Sequence, residues 1–347
     1  LLTTLLTPLA ILTSFNIKER VKAFMILFLI LETGMLGVFM ALDLVLFFLF
    51  WEIGLVPMYF LINQWGGEKR DYASLKFILY TMGGSLGLLL AIQMIGVVSG
   101  TFDFVSIAAT WPALHGGELF GIPTATVKAV AFWAFVIAFA IKVPVWPFHT
   151  WLPDAHTEAP TGGSMVLAGV LLKLGAYGFI RLVLPLFPAE SARFAGWLAA
   201  LATAAIIFGA MAAAAQTDFK RLVAYSSINH MGFVVLGIAA AAWASGQADT
   251  ALRESAVIAL NGAVLQMFNH GLTAAGMFFL VGVLYDRTHT RKLDDFGGLF
   301  AILPVYGAIL IFISMASLGL PGLNGFVSEF MIVRGVWPIF TLFLAFA

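Results

Sequence analysis

The sequence predicts an all-α, polytopic transmembrane helix bundle. Three observations lead there. Of the 347 residues 61% are hydrophobic and only 10% charged, the mean hydropathy is +1.00, and apolar runs of about 20 residues alternate with short polar stretches along the chain. A soluble protein is roughly half apolar and a quarter charged, so bilayer is the natural solvent for this composition. The runs lack the period-2 alternation of a membrane barrel, which argues for helices over strands. No soluble domain fits between them, and residues 1–347 read as a single membrane domain.

Apolar windows give eleven spans, at 1–14, 23–42, 44–64, 77–98, 125–150, 161–188, 195–215, 222–243, 255–284, 299–333 and 335–347. The first and last look incomplete, with Leu1 and Ala347 both inside apolar runs, as in an internal portion of a longer chain. Alternate loops differ in basic content. One side carries Lys18, Arg20, Lys22, Lys69, Arg70, Lys76, Lys220, Arg221, Arg287, Arg291 and Lys292; the other carries only Lys128, Arg181, Arg193, Arg253 and Arg334. This bias places the first side in the cytoplasm and supports the strict alternation of spans.

Zero net charge implies neither a nucleic-acid partner nor an acidic substrate. Cysteine is absent, which excludes disulfides, thiolate-bound zinc and cysteine-ligated iron–sulfur clusters within this chain, so electron carriers are expected elsewhere. No GxGxxG, P-loop or GxSxG element stands in a strand–turn–helix context, and nucleotide binding and serine hydrolysis lack support.

Four ionisable residues fall where lipid is expected: Glu52 in FFLFWEIGLVPMYFLI, Lys142 in FVIAFAIKVPVWPF, Lys173 in MVLAGVLLKLGAYGF and Glu329 in LPGLNGFVSEFMIV. At a helix centre each costs on the order of 2.5–3.5 kcal/mol. Together, roughly 10–14 kcal/mol would rival the net stability of a whole domain. They are therefore expected to face the bundle interior, paired or hydrated. Two uses fit: buried ion pairs that lock helices together, or groups whose protonation switches when a partner charge moves.

Two spans contain helix breakers beside these charges. Pro144 and Pro147 follow Lys142; each removes a backbone donor, and the i−4 carbonyls of Ala140 and Val143 are expected to be left free. Backbone of that kind is tolerated at membrane depth only where protein or a wet cavity surrounds it. Gly319, Pro321, Gly322, Asn324 and Gly325 repeat the device before Glu329. The broken spans are the fifth and the tenth, an odd offset that inverts topology. The expected architecture is thus a pair of inverted five-helix repeats, residues 23–188 and 195–347, each with one discontinuous helix, the second repeat incomplete at its C-terminal end.

His230 in AYSSINHMGF and His270 in LQMFNHGLTAAGMF also lie inside spans. A neutral imidazole there can pass a proton between its two nitrogens, or simply pack between helices. Ser226, Ser227, Asn229 and Asn269 fit a hydrogen-bonded file or interhelical glue equally well. Paired histidines raise haem ligation as well, without a local signature to favour it. His149, Asp154, His156 and Glu158 form a polar connector. Pro147, Pro153 and Pro160 make it an irregular membrane-surface loop by expectation, with Trp146, Phe148 and Trp151 in an interfacial belt. It contains no HExxH metal helix.

The run KVPVWPFHTWLPDAHTEAPTGGSMVLAGVLLKLGAYG, residues 142–178, resembles the signature region of the antiporter-like subunits of respiratory complex I, the proton-pumping NADH-quinone oxidoreductase. LPDAHTEAPT and LAGVLLK resemble its M-type member more than the L- or N-type ones, and FFLFWEIGLVPMYFLI, FKRLVAYSSINHMGF and LPGLNGFVSEFMI extend the likeness over nearly the whole chain. The resemblance implies about three further spans, mainly at the amino end, and a bacterial inner-membrane location. It also implies proton translocation driven by redox chemistry elsewhere: FMN, iron–sulfur clusters and quinone in partner subunits, with no cofactor or metal in this chain. Neighbours would include L-type and N-type subunits and the lipid bilayer. By position Glu52 matches the family's glutamate, Lys142 its broken-helix lysine, Lys173 the connecting lysine, and Glu329 the acidic residue where sister subunits tend to carry lysine. His230 and His270 become relay candidates. Cation/proton antiporters and energy-converting membrane hydrogenases share the pattern and stand as the alternative assemblies.

Overall fold

Hydrocarbon offers a spanning backbone no outside hydrogen-bond partner, and the chain satisfies its amides within helices almost throughout. The structure, a computed structural model, describes residues 1–347. Its helices are α1 (Leu2–Thr13), α2 (Val21–Met40), α3 (Leu44–Ile53), α4 (Leu55–Trp65), α5 (Arg70–Ser99), α6 (Phe104–Thr110), α7 (Thr124–Lys142) and α8 (Trp151–Glu158). They continue as α9 (Thr161–Leu186), α10 (Pro188–Ala214), α11 (Phe219–Ala244) and α12 (Thr250–Thr288). A short turn over Leu299–Ile302 leads into α13 (Pro304–Ser317), α14 (Asn324–Val336) and α15 (Thr341–Phe346). A two-residue hairpin pairs β1 (Glu118–Leu119) with β2 (Ile122–Pro123) just before α7.

Eight segments are long and apolar enough to cross a membrane, α3 and α4 counting as one. Aspartates cap helices at the turns. Asp43, Asp103, Asp218 and Asp249 each accept from a backbone N–H in the first turn of α3, α6, α11 and α12, the donors that a helix start otherwise leaves unpaired. Pro188 and Pro304 open α10 and α13, where a missing N–H costs nothing.

The alternation of sides holds in the loops. Asp43 bridges Asp103 on one side, and Asp218 bridges Lys292 on the other. On that second side the Lys69 N–H donates to Glu158 at 3.0 Å, Lys76 pairs with Asp154 at 2.7 Å and Arg291 with Asp218 at 3.2 Å. Loops assigned to the same membrane face thus meet.

α9 forms the centre, buried along most of its length, with α1, α7 and α12 packed on it. α10 lies along α11, and α12 along α14. Small residues set these approaches. A methyl on Gly232 would sit 2.7 Å from Ile206 and 3.1 Å from the Ala202 carbonyl oxygen. Gly232→Leu is expected to force α10 and α11 apart at a cost of about 1–3 kcal/mol, read as a lower melting midpoint in detergent; an unchanged midpoint would show that the close approach is dispensable.

The interruption expected in the run 299–333 is present at 318–323, between α13 and α14, and α14 continues to Val336. The last segment therefore starts later than 335, as the six-residue α15. The polar connector is not an irregular surface loop, since Trp151–Glu158 is helical and most of it buried. Pro153 falls in the first turn of α8, where it is compatible with helix.

Candidate functional site

Glu52 lies in the last turn of α3 beside a break that the hydropathy pattern hides. Pro57 has no N–H to offer the Ile53 carbonyl, and the helix interrupts at Gly54. Glu52 Oε1 is buried without a hydrogen-bond partner. Lys142, 2% exposed, ends α7 in the same state, its ammonium unpartnered and 5.2 Å from the centre of the Trp51 ring. Trp51 is itself held by an indole N–H donated to Ser85 at 3.0 Å. Glu52 and Lys142 stand close enough to feel each other's charge, yet no ion pair joins them.

The break after Lys142 is tidier than the proline spacing suggests. The Ala140 carbonyl is not free, because the Val145 N–H donates to it at 2.7 Å, and the Trp151 indole caps the Ile141 carbonyl at 2.8 Å. A wider turn and a side chain replace the lost bonds. Trp151→Phe leaves that buried carbonyl bare and is expected to cost about 1–3 kcal/mol, measurable as a lower thermal midpoint; no change would mean that the indole bond contributes nothing.

Lys173, also 2% exposed, stands in α9 between two π-helical turns, Leu167–Leu171 and Phe179–Val183. Such wide turns recur at functional sites because they leave carbonyls open to side chains. The Lys173 ammonium donates to the Ala168 carbonyl at 2.6 Å and lies 2.7 Å from His270 Nδ1. Its helix touches α7 closely: a methyl on Gly175 would come within 3.1 Å of Lys142 Cβ. The stem of one lysine thus lies two residues along from the other.

The row continues from His270. The His230 and His270 ring centres are 5.5 Å apart, and both rings line a cavity of about 470 Å³ with Ser317 and Glu329. His230 Nδ1 is 2.7 Å from Glu329 Oε1, and its Nε2 is 3.3 Å from the Ser317 hydroxyl. Glu329 also accepts from the Gln266 amide at 2.7 Å.

Lys173, His270, His230 and Glu329 are therefore brought into one connected row, with Glu52 and Lys142 a separate group next to it. Gln266 and Ser328 were missed by the sequence reading. Ser328 donates to Gln266 at 2.5 Å, and Asn269 donates to Ser328 at 2.9 Å and to the Asn324 carbonyl at 2.7 Å, which ties α12 to the first turn of α14. The signal was present. Gln266, Asn269, His270 and Thr273 follow the i, i+3, i+4, i+7 spacing of one helix face, a polar stripe on an otherwise apolar helix.

Fold and site together define an integral membrane helix bundle whose interior holds a row of ionisable side chains beside interrupted helices. The sequence model of the NADH:quinone oxidoreductase/Mrp antiporter transmembrane family matches residues 41–347, and the chain belongs to that family.

Among its relatives, NADH-quinone oxidoreductase subunit M of Rhodobacter capsulatus is 44% identical over all of this chain and 65% of its own length. NAD(P)H-quinone oxidoreductase chain 4 1 of Synechococcus elongatus is 47% identical over 96% of this chain and 58% of its own length. The chain thus spans less than two thirds of these proteins. It is similar to a chain of respiratory complex I from Thermus thermophilus, with a TM-score of 0.84 and 32% identity, covering 99% of this chain and 68% of that one. It shares the fold alone with a chain of the Mrp complex from a Dietzia species, at a TM-score of 0.77 and 22% identity, covering 99% of this chain and 62% of that one.

Proposed function

We propose that the chain is part of a non-redox, proton-translocating subunit of an NADH-quinone oxidoreductase in a bacterial inner membrane, with Glu52, Lys142, Lys173, His270, His230 and Glu329 carrying the protons. The observation that supports it most is the row Lys173–His270–His230–Glu329. Its two end contacts, at 2.7 Å each, join groups that can share a proton. Between Lys173 Nζ and His270 Nδ1 one proton makes the bond, whichever nitrogen holds it. A transfer needs no side-chain movement there. The step from His270 to His230 crosses a cavity with room for several waters, each taking roughly 30 Å³ of liquid volume.

Lys142 supplies the switch in this reading. Its ammonium has no hydrogen-bond partner, so its charge state depends on how near Glu52 stands. Glu52 lies at the Gly54 break, where the helix can shift with fewer backbone bonds at stake. Two inverted repeats, 23–188 and 195–347, would place the two broken helices in corresponding roles. FMN, iron–sulfur clusters and quinone would sit in partner subunits, among them L-type and N-type relatives. The shared fold of the Mrp complex keeps a cation/proton antiporter as the rival assembly, and membrane hydrogenases belong with it. Co-isolation of the full-length protein with flavin and iron–sulfur subunits supports the oxidoreductase; isolation with membrane partners alone supports the rival.

Glu329→Gln tests the row itself. Glutamine keeps the size and can still accept from Gln266, but holds no proton to pass on. Transfer through the row is expected to fall about 100-fold, the lower end of what a positioned acid or base contributes, while the assembly stays intact. Proton uptake by proteoliposomes during NADH oxidation reads the effect, and pumping at the wild-type ratio overturns the assignment.

A further inference from the structure

The starts of α7 and α10 share one membrane face and carry ionisable groups that the proton row does not use. Lys128 is only 3% exposed, and its ammonium meets the backbone carbonyls of Pro112 at 3.1 Å and Leu114 at 3.3 Å and the Trp111 ring at 5.9 Å from its centre, with no carboxylate paired to it. Glu190 is 9% exposed, and its Oε2 has no hydrogen-bond partner. Both line a polar recess of about 240 Å³ with His115, Thr124 and Arg193. The Arg193 guanidinium rests 5.2 Å from the Phe194 ring centre and pairs with no carboxylate. Two cations and a carboxylate therefore stand in one recess with no ion pair between them. A buried carboxylate oxygen without a donor is costly, and the arrangement suits a ligand that presents an anion to the cations and an N–H donor to Glu190.

An apolar groove adjoins the recess. Ala129 belongs both to the recess and to this groove of about 530 Å³ between α5 and α7, lined by Gly83, Gly84, Gly87, Val130, Trp133 and Ile137. From Lys128 to Ile137, α7 rises about 14 Å at ~1.5 Å per residue. That is close to one leaflet's share, about 15 Å, of the hydrocarbon core. Glycine opens the groove: a methyl on Gly83 would meet nothing within 4 Å.

We propose that recess and groove together bind one phospholipid with a primary-amine headgroup, of the phosphatidylethanolamine class. The phosphate lies between Lys128 and Arg193, the ammonium donates to Glu190 Oε2, and one acyl chain fills the groove. Phosphatidylcholine has no N–H for Glu190, phosphatidylglycerol has no cation for it, and a free phosphate leaves the groove unused. The site goes beyond the proton-transfer reading and does not rest on it.

Native mass spectrometry of the complete membrane assembly tests it, after exchange into phosphatidylethanolamine, phosphatidylcholine or phosphatidylglycerol of equal chain length, or into soluble phosphoethanolamine. The wild type is expected to retain one phosphatidylethanolamine more than Gly83→Leu, whose side chain grows into the open groove. Glu190→Gln is expected to lower the preference for the primary amine about tenfold, the effect of a hydrogen bond to a charged group. Equal retention of the three lipids by the wild type overturns the proposal, as does displacement by phosphoethanolamine alone. So does a lipid count unchanged by Gly83→Leu, the result if a neighbouring subunit's helix fills the groove. Should Glu190→Gln fail to assemble, the Gly83→Leu comparison decides alone.

Discussion

Lys142→Met is expected to make the protein more stable and to stop proton transfer at the same position. The ammonium is buried with no hydrogen-bond partner; it is attracted by the Trp51 ring at 5.2 Å and by Glu52, with which it forms no ion pair. A desolvated cation–π contact of that kind contributes up to about 2 kcal/mol, whereas a lysine at membrane depth costs on the order of 2.5–3.5 kcal/mol. Methionine keeps the length of the stem and removes the charge; losing the Glu52 attraction offsets part of the difference, so a net gain of at most about 1 kcal/mol is the expected balance. A structural lysine would show the opposite sign, since truncating one member of a working ion pair leaves the other stranded. Transfer that depends on this group should slow by about 100-fold or more. The thermal midpoint of the full-length protein in detergent and NADH-driven proton uptake in proteoliposomes measure the two effects. A variant that is less stable and still pumps would make Lys142 an architectural residue.

The pairing of higher stability with lost function is informative because it separates two histories for a buried charge. Lys173 does not share it: its ammonium holds the Ala168 carbonyl and meets His270, so removing it leaves two buried groups unsatisfied. The two lysines look alike in the sequence, each a single cation in an apolar run. Only the partners differ, and those come from other spans.

That contrast marks what a sequence of this kind discloses. Spans were legible because hydrocarbon demands about 20 apolar residues in a row, and breaks because proline and glycine act locally on the backbone. Gly54 escaped because Pro57 lies in a run otherwise so apolar that the span reads as unbroken. The π turns flanking Lys173 escaped for a different reason, since no residue type specifies a π turn and tertiary packing decides it. Charges at membrane depth announced themselves, as their cost requires. Their contacts did not, because residues 97 positions apart, such as Lys173 and His270, meet through the packing of α9 on α12. Glutamine and serine went unnoticed because they are cheap enough in a helix interior to need no special account, and here they hold Glu329 and the broken helix in place.

His270→Leu separates a row that works in series from a collection of independent sites. His270 is the only side chain that touches Lys173 through a ring nitrogen and also faces His230 across the shared cavity. Leucine fills similar space, but leaves no group to take the proton from Lys173 Nζ. The expected loss is again about 100-fold in transfer, with a stability cost of about 1–3 kcal/mol because the lysine loses a buried partner. The double variant Lys173→Met, His270→Leu carries the sharper expectation. In a serial path one missing carrier already stops the flow, so the second change should lower pumping no further, as residues acting as a unit are grossly non-additive. Stability should be non-additive too, because the double variant no longer strands an ammonium beside leucine, and a cycle of the four proteins gives a coupling of roughly 0.5–3 kcal/mol. If the two losses instead multiply in the pumping assay, the residues serve separate routes and the single row is the wrong account.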